Sequence, residues 1–91
     1  MQNLKDVIKQ IEEASKISEV AQETRLTGFL DGVEVAITIR DRGENDPLRW
    51  SVWAETLDVE PTRTAGSNPG ADLSTVIATT HWYQLLPPES R

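Results

Sequence analysis

The sequence predicts an α+β domain in which one N-terminal helix packs on one face of a four-stranded, mainly antiparallel sheet, in the order α-β-β-β-β. Three observations carry this prediction: an apolar stripe at helical spacing, an Asp-Gly dipeptide between two alternating segments, and two later segments rich in β-branched and aromatic residues. A chain of 91 residues and 10.2 kDa has room for one domain, which we expect to span residues 1–91.

An amphipathic helix is predicted over about residues 3–22. Its apolar positions recur at intervals of three and four, and charged residues fill most of the positions between them. The apolar residues are Leu4, Val7, Ile8, Ile11, Ala14 and Ile17. Ser15 and Ser18 weaken the end of this pattern, because serine side chains compete for backbone hydrogen bonds. The sequence therefore leaves the last turn of the helix open.

A β-hairpin follows, with strands over about 24–30 and 33–40. Apolar and polar residues alternate in both segments, and Asp31-Gly32 lies between them. An Asp-Gly dipeptide favours the type I′ turn, because both central residues of that turn need a positive φ. A two-residue turn also sets the pairing of the strands. The expected pairs are Leu30 with Val33, Gly28 with Val35 and Leu26 with Ile37.

Two further strands are predicted over about 49–57 and 75–85. In the first, Trp50, Val52 and Ala54 fall on one face, while Trp53 and Leu57 fall on the other. The second is rich in Thr, Val, Ile, Trp and Tyr, and a Pro-Pro dipeptide stops it. Between them, residues 58–74 contain two Pro and two Gly, and we expect a long loop.

Charge and composition exclude several classes of function. Fifteen acidic against nine basic residues give a net charge of −6, which repels a nucleic-acid backbone. The longest uncharged run, residues 73–88, is too short and too polar to span a bilayer. Charged residues near the N-terminus are unlike a signal peptide. We therefore expect a cytoplasmic protein that binds neither nucleic acid nor membrane.

The sequence provides few groups for catalysis. Cysteine is absent and His81 is the one histidine, so we expect no metal site and no cofactor. A small enzyme that pairs His81 with Glu34, Glu55 or Asp58 remains a third hypothesis. One acidic cluster has oxygen ligands suited to calcium but lacks the spacing of an EF-hand, so a solvated loop is the other interpretation. Its members are Asp41, Glu44, Asn45 and Asp46.

The aromatic residues are the more informative set. Trp50 and Trp53 are separated by an odd interval, as are Trp82 and Tyr83, so a strand directs the members of each pair to opposite faces. One helix shields one face, and an apolar patch is therefore expected on the other, unless the strands curl or the long loop folds over it. The candidate interaction surface comprises Phe29, Trp53, Leu57, His81, Trp82 and Tyr83.

These features predict a non-catalytic cytoplasmic protein-interaction module that uses the aromatic sheet face and the last strand. An uncharged strand over 75–85 at a sheet edge favours pairing with a partner's strand or, in a homodimer, with the same strand of a second copy. The strand would instead be protected if it lay between two neighbours or under the long loop. The alternative function is a small-ligand or carbohydrate-binding domain that uses Trp53 or Trp82 with polar residues of the 58–74 loop.

Overall fold

The computed structural model describes residues 4–17 and 20–91. Its strands form one antiparallel sheet in the order β1-β2-β3-β4, which confirms the α+β class with an N-terminal helix and a four-stranded antiparallel sheet. A second, short helix is present in addition. The elements are α1 Leu4–Ser15, β1 Gln22–Leu30, β2 Val33–Asp41, β3 Trp50–Thr56, β4 Thr64–Gly66, α2 Leu73–Thr79 and two 3₁₀ turns, Trp82–Leu85 and Pro88–Ser90.

Helix α1 ends at Ser15 rather than near residue 22. The Ser15 hydroxyl donates to the Ile11 carbonyl at 2.5 Å, and Lys16 then takes a left-handed conformation with a φ of 63°. A serine that bonds back to the preceding turn weakens helix continuation, and a positive φ stops it. The predicted start at residue 3 and the second weakening position, Ser18, lie outside the described residues.

The β1–β2 hairpin has the predicted turn and register. Asp31 and Gly32 adopt φ values of 50° and 77°, as a type I′ turn requires. Leu30 pairs with Val33, and the one-to-one register continues as far as Gln22 opposite Asp41. Local turn chemistry and alternation therefore determined the pairing of these two strands.

The predicted strand over 75–85 is wrong, and so is the loop expected over the whole of 58–74. The fourth strand is β4, which lies inside the predicted loop and pairs with β3. Residues of the predicted strand instead form α2 and the first 3₁₀ turn. A bridge between Trp50 and Gly70 brings the chain back against β3 just before α2 begins.

Helix α2 forms despite its β-branched residues because its polar groups are satisfied internally. The Asp72 carboxylate caps the helix by accepting from the Thr75 backbone N–H at 2.9 Å. The Thr79 and Thr80 hydroxyls donate to carbonyls of the preceding turn. Val76 and Thr80, four positions apart, are buried. Packing and capping thus outweigh the strand propensity of this segment.

One face of the sheet, which we call the covered face, carries the hydrophobic core. Helix α2 and the first 3₁₀ turn lie against β3 and β4, and Leu85 enters the core from that turn. The described side chains of α1 are half-buried or exposed, so the elements that cover the core come from the C-terminal part of the chain. The core residues are Val35, Ala54, Ala65 and Leu85, with Leu30, Ile37 and Trp82 packed against them. None of the helices in residues 4–17 and 20–91 has the length and apolar character needed to cross a bilayer.

Candidate functional site: the open face of the sheet

The face opposite the core, which we call the open face, carries two exposed aromatic side chains. Phe29 on β1 is 76% exposed and Trp53 on β3 is 50% exposed. Side chains alternate between the two faces of a strand, and both aromatics are sequence neighbours of residues that face the core, so both lie on the opposite face. The register separates them by two strands and four residues, so their backbones lie about 16 Å apart.

Trp53 owes its position to a glycine on the neighbouring strand. Gly66 lies opposite Trp53 in the β3–β4 ladder, and a Cβ added there would be 3.1 Å from Cε3 of the indole. The missing side chain lets the indole lie close against the β4 backbone while half of its surface stays exposed. This support could not be predicted from the sequence pattern, because Gly66 lies in the predicted loop over 58–74.

Polar side chains surround Trp53. The Arg40 Nε and the Glu23 Oε2 form an ion pair at 3.1 Å, and both side chains are about half exposed. Ion pairs at such positions contribute about 0–1 kcal/mol to stability. The two charged side chains also make the surroundings of Trp53 polar. Glu23, Arg40, Thr38 and Ser51 line a shallow depression of about 350 Å³ together with Trp53.

Phe29 and Leu57 lie in one row across the open face. Phe29 pairs with Glu34, and the Leu57 N–H donates to the Glu34 carbonyl at 2.8 Å. Leu57 is half-buried just beyond the end of β3. Three of the six candidate residues, Phe29, Trp53 and Leu57, therefore belong to the same side of the sheet.

The other three candidates do not belong to the open face, which corrects the sequence-based interpretation. Trp82 packs against the core, and its indole N–H donates to the Ile77 carbonyl at 2.9 Å. The His81 backbone N–H donates to the Gly66 carbonyl at 3.2 Å, beside β4. Tyr83 is 55% exposed, with its ring 6.0 Å from that of His81. Strand alternation does not apply to these residues because they follow a helix and lie in or beside a 3₁₀ turn.

Two members of the acidic cluster, Asp41 at the end of β2 and Asp46 in the following loop, make local structural contacts. The Asp41 carboxylate accepts hydrogen bonds from Nε and Nη2 of Arg49 at 2.6 and 3.0 Å. This bond is the main cause of an Asp41 pKa below its usual 3.8. The Asp46 carboxylate accepts from the Leu48 N–H at 2.8 Å. Within residues 4–17 and 20–91, no three or more His, Asp or Glu side chains are grouped so that they could hold a metal ion.

The residues of the enzyme hypothesis are distributed over several elements. Glu34 and Glu55 lie half-buried on β2 and β3, and Asp58 is exposed beyond β3 with a φ of 56°. His81 is exposed and follows α2.

No protein-family model, curated protein or solved structure matches this chain. We therefore infer function from the geometry of the open face.

Proposed function

We propose that this protein is a non-catalytic, cytoplasmic protein-interaction module that binds a partner protein with the open face of its sheet. The observation that carries the proposal is the exposure of Phe29 and Trp53, 76% and 50%, on the side opposite the covered core. Burying one such side chain at an interface gains about 1.5–3 kcal/mol. A partner that covers both side chains would remove from water apolar surface that the folded chain leaves exposed.

The surroundings of the two aromatics favour a protein partner. Large aromatic anchors within a polar rim are typical of protein interfaces. The rim of the open face carries charges of both signs, among them Glu23, Arg25 and Arg40. The net charge of −6 favours a partner with a basic surface, which it attracts at long range. Neither a cofactor nor nucleic acid is part of this proposal.

Site-specific photo-crosslinking in the producing cell tests the proposal. A photoreactive phenylalanine analogue replaces Phe29 in one variant and Trp53 in another. The control replaces Ile77, which is 40% exposed on α2 over the covered face. We expect the same crosslinked partner from positions 29 and 53 and none from position 77. Equal labelling from all three positions, or no labelled protein at all, would contradict the proposal.

Affinity measurements with the partner so identified give a second test. Trp53→Ala is expected to raise the Kd by about 30-fold or more, since truncation of a central aromatic anchor costs about 2 kcal/mol or more. The control Leu48→Ala removes a side chain that is 51% exposed in the loop between β2 and β3, and it should leave the Kd unchanged. Equal effects of the two substitutions would show that the open face is not the binding site.

A small-ligand or carbohydrate-binding domain remains a second candidate because of the surroundings of Trp53. The indole lies against Gly66 of the 58–74 segment and shares a depression with Arg40 and Ser51, an arrangement that suits a sugar ring stacked on an aromatic surface. The Trp82 indole is engaged with Ile77, so this candidate depends on Trp53. A screen of sugars and metabolites that follows the Trp53 indole N–H resonance tests it. A saturable shift, lost in Trp53→Ala, would favour this candidate over a protein partner.

A further inference from the structure

The outer edge of β1 is open, whereas the opposite edge of the sheet is covered. β1 is the first strand in the order β1-β2-β3-β4, and within the described residues it pairs with β2 alone. At the other end, the Gly66 carbonyl of β4 accepts from the His81 backbone N–H at 3.2 Å, so the C-terminal segment closes that edge. The edge strand predicted over 75–85 is not a strand, and the open edge of the described sheet is Gln22–Leu30.

The register tells which backbone groups face outward from β1. Leu30 and Val33 flank a two-residue turn, so they form a hydrogen-bonded pair. Alternate residues of β1 therefore bond to β2, and those between them direct their N–H and C=O groups to the open edge. The hydrogen bond from the Leu57 N–H to the Glu34 carbonyl is consistent with this pattern, because it indicates that the even-numbered residues of β2 bond to β3 and the odd-numbered ones to β1. The outward-facing residues are Glu23, Arg25, Thr27 and Phe29.

Most of the devices that usually prevent strand pairing are absent from this edge. β1 contains nine residues, QETRLTGFL, with neither Pro nor Lys. Its register with β2 runs one to one from Gln22 to Leu30 without a bulge. Long, regular and unprotected edges recruit another strand. The single acid and single base of the strand, Glu23 and Arg25, leave it without net charge to repel a copy of itself.

We propose that β1 pairs antiparallel with β1 of a second copy, with a two-fold axis at Leu26, to form a continuous eight-stranded sheet. A two-fold axis produces antiparallel pairing of identical strands directly. The register centred on Leu26 overlaps all nine residues, so it pairs every outward-facing N–H and C=O group. Registers centred elsewhere leave part of the strand unpaired.

Side chains support the same register. Leu26 lies on the covered face of the sheet but is 50% exposed, and this pairing sets it against Leu26 of the partner subunit. Arg25 comes opposite Thr27 and Glu23 opposite Phe29, so no like charges face each other directly. This pairing is distinct from the proposed partner-binding function, since it uses the strand edge. It brings two open faces side by side in one sheet.

Disulfide trapping tests the register, because the chain contains no cysteine. The two Leu26 positions would form a non-hydrogen-bonded pair with Cα atoms about 4.5 Å apart, within the range of a disulfide. We expect Leu26→Cys to give a covalent dimer under mild oxidation. The control Thr24→Cys lies on the same strand and face, but the two introduced thiols would be separated by four residues, or about 13 Å. Crosslinking of the control as fast as Leu26→Cys, or no crosslinking of Leu26→Cys, overturns the proposal.

Removal of one outward-facing N–H tests the edge. Thr27→Pro deletes an N–H that points away from β2, so the β1–β2 ladder is kept. Two hydrogen bonds of the dimer are lost, one for each copy, and we expect the dimer Kd to rise about 10- to 100-fold. Thr27→Ala keeps the N–H and should leave the Kd unchanged. Circular dichroism checks that both variants keep the fold.

Sedimentation equilibrium between about 1 and about 500 µM protein measures these constants. A wild-type protein that stays monomeric over this range overturns the proposal, as does a dimer that Thr27→Pro does not weaken. The partner-binding function would be unaffected by either result, because its crosslinking positions are Phe29 and Trp53 and its readout is a different protein. If positions 29 and 53 capture no partner protein while Leu26→Cys still forms a covalent dimer, the partner-binding function is refuted and the dimer proposal stands.

Discussion

Truncation of Leu85 measures how much the C-terminal cover contributes to the fold. Leu85 is 4% exposed and contacts a core of small side chains, including Ala54 and Ala65, which are 0% and 1% exposed. Those alanines stand on β3 and β4, whose backbones are held by the ladder between them. The walls of a cavity at this position therefore have little freedom to close.

We expect Leu85→Ala to lower the free energy of unfolding by about 3.5–5 kcal/mol, in the upper half of the range of about 2–5 kcal/mol for buried leucines. This is a large share of the total stability of a domain, which is about 5–15 kcal/mol. At about 4–8 °C per kcal/mol for a domain of this size, the Tm should fall by about 15–40 °C.

Urea denaturation followed by tryptophan fluorescence and circular dichroism measures the change, at one fixed protein concentration so that any self-association contributes equally. The matched control is Leu48→Ala, which removes the same atoms from a side chain that is 51% exposed and should change stability by less than about 0.5 kcal/mol. A loss below about 1 kcal/mol for Leu85→Ala would refute the role of the C-terminal segment as the cover of the core.

Further substitutions test three local features: the Asp41–Arg49 pair, the Asp72 cap and the turn at Gly32. Asp41→Asn removes the charge that holds Arg49 and should cost about 1–2 kcal/mol near neutral pH, since these side chains are 18% and 33% exposed. Folding lowers the pKa of Asp41, so the difference in unfolding free energy between the wild type and Asp41→Asn is complete above pH 3.8, the usual pKa. The difference decreases as the pH falls through the lower pKa of the folded state. Urea titrations that give the same difference at every pH would contradict the bond. Asp72→Ala should lower the Tm by loss of the α2 cap, whereas Asp72→Asn should keep most of the cap; thermal melts that rank the two variants equally would exclude capping. Gly32→Ala should cost about 1–2 kcal/mol because the φ is 77°, although a methyl group there meets no atom within 4 Å. Gly28→Ala, which has the same free space in regular strand, should be neutral or stabilising, and the same sign for both glycines would refute the argument from φ.

The exposure of the two open-face aromatics could be predicted from local pattern once the hairpin was identified. Phe29 and Trp53 alternate with residues that face the core, and alternation alone assigns them to one side. The role of Gly66 could not be predicted, because β4 is three residues long and carries too short a pattern to stand out from a loop. The Arg40–Glu23 ion pair joins residues on different strands and becomes visible once the register is known.

Local information in the sequence determined the class of the fold, the β1–β2 turn with its register, and the faces of β3. These features depend on interactions between residues close in the chain: a positive φ at Asp31 and Gly32, and an alternation with a period of two.

Tertiary structure decided the conformation of residues 73–85 and the location of the open edge. Strand propensities differ by up to about 1 kcal/mol, whereas burial of side chains such as Val76 and Leu85 contributes several kcal/mol together. That burial exists when the segment folds back onto β3 and β4, and no local pattern records it. The same folding-back closes the β4 edge, and among residues 4–17 and 20–91 it leaves β1 without an outer neighbour.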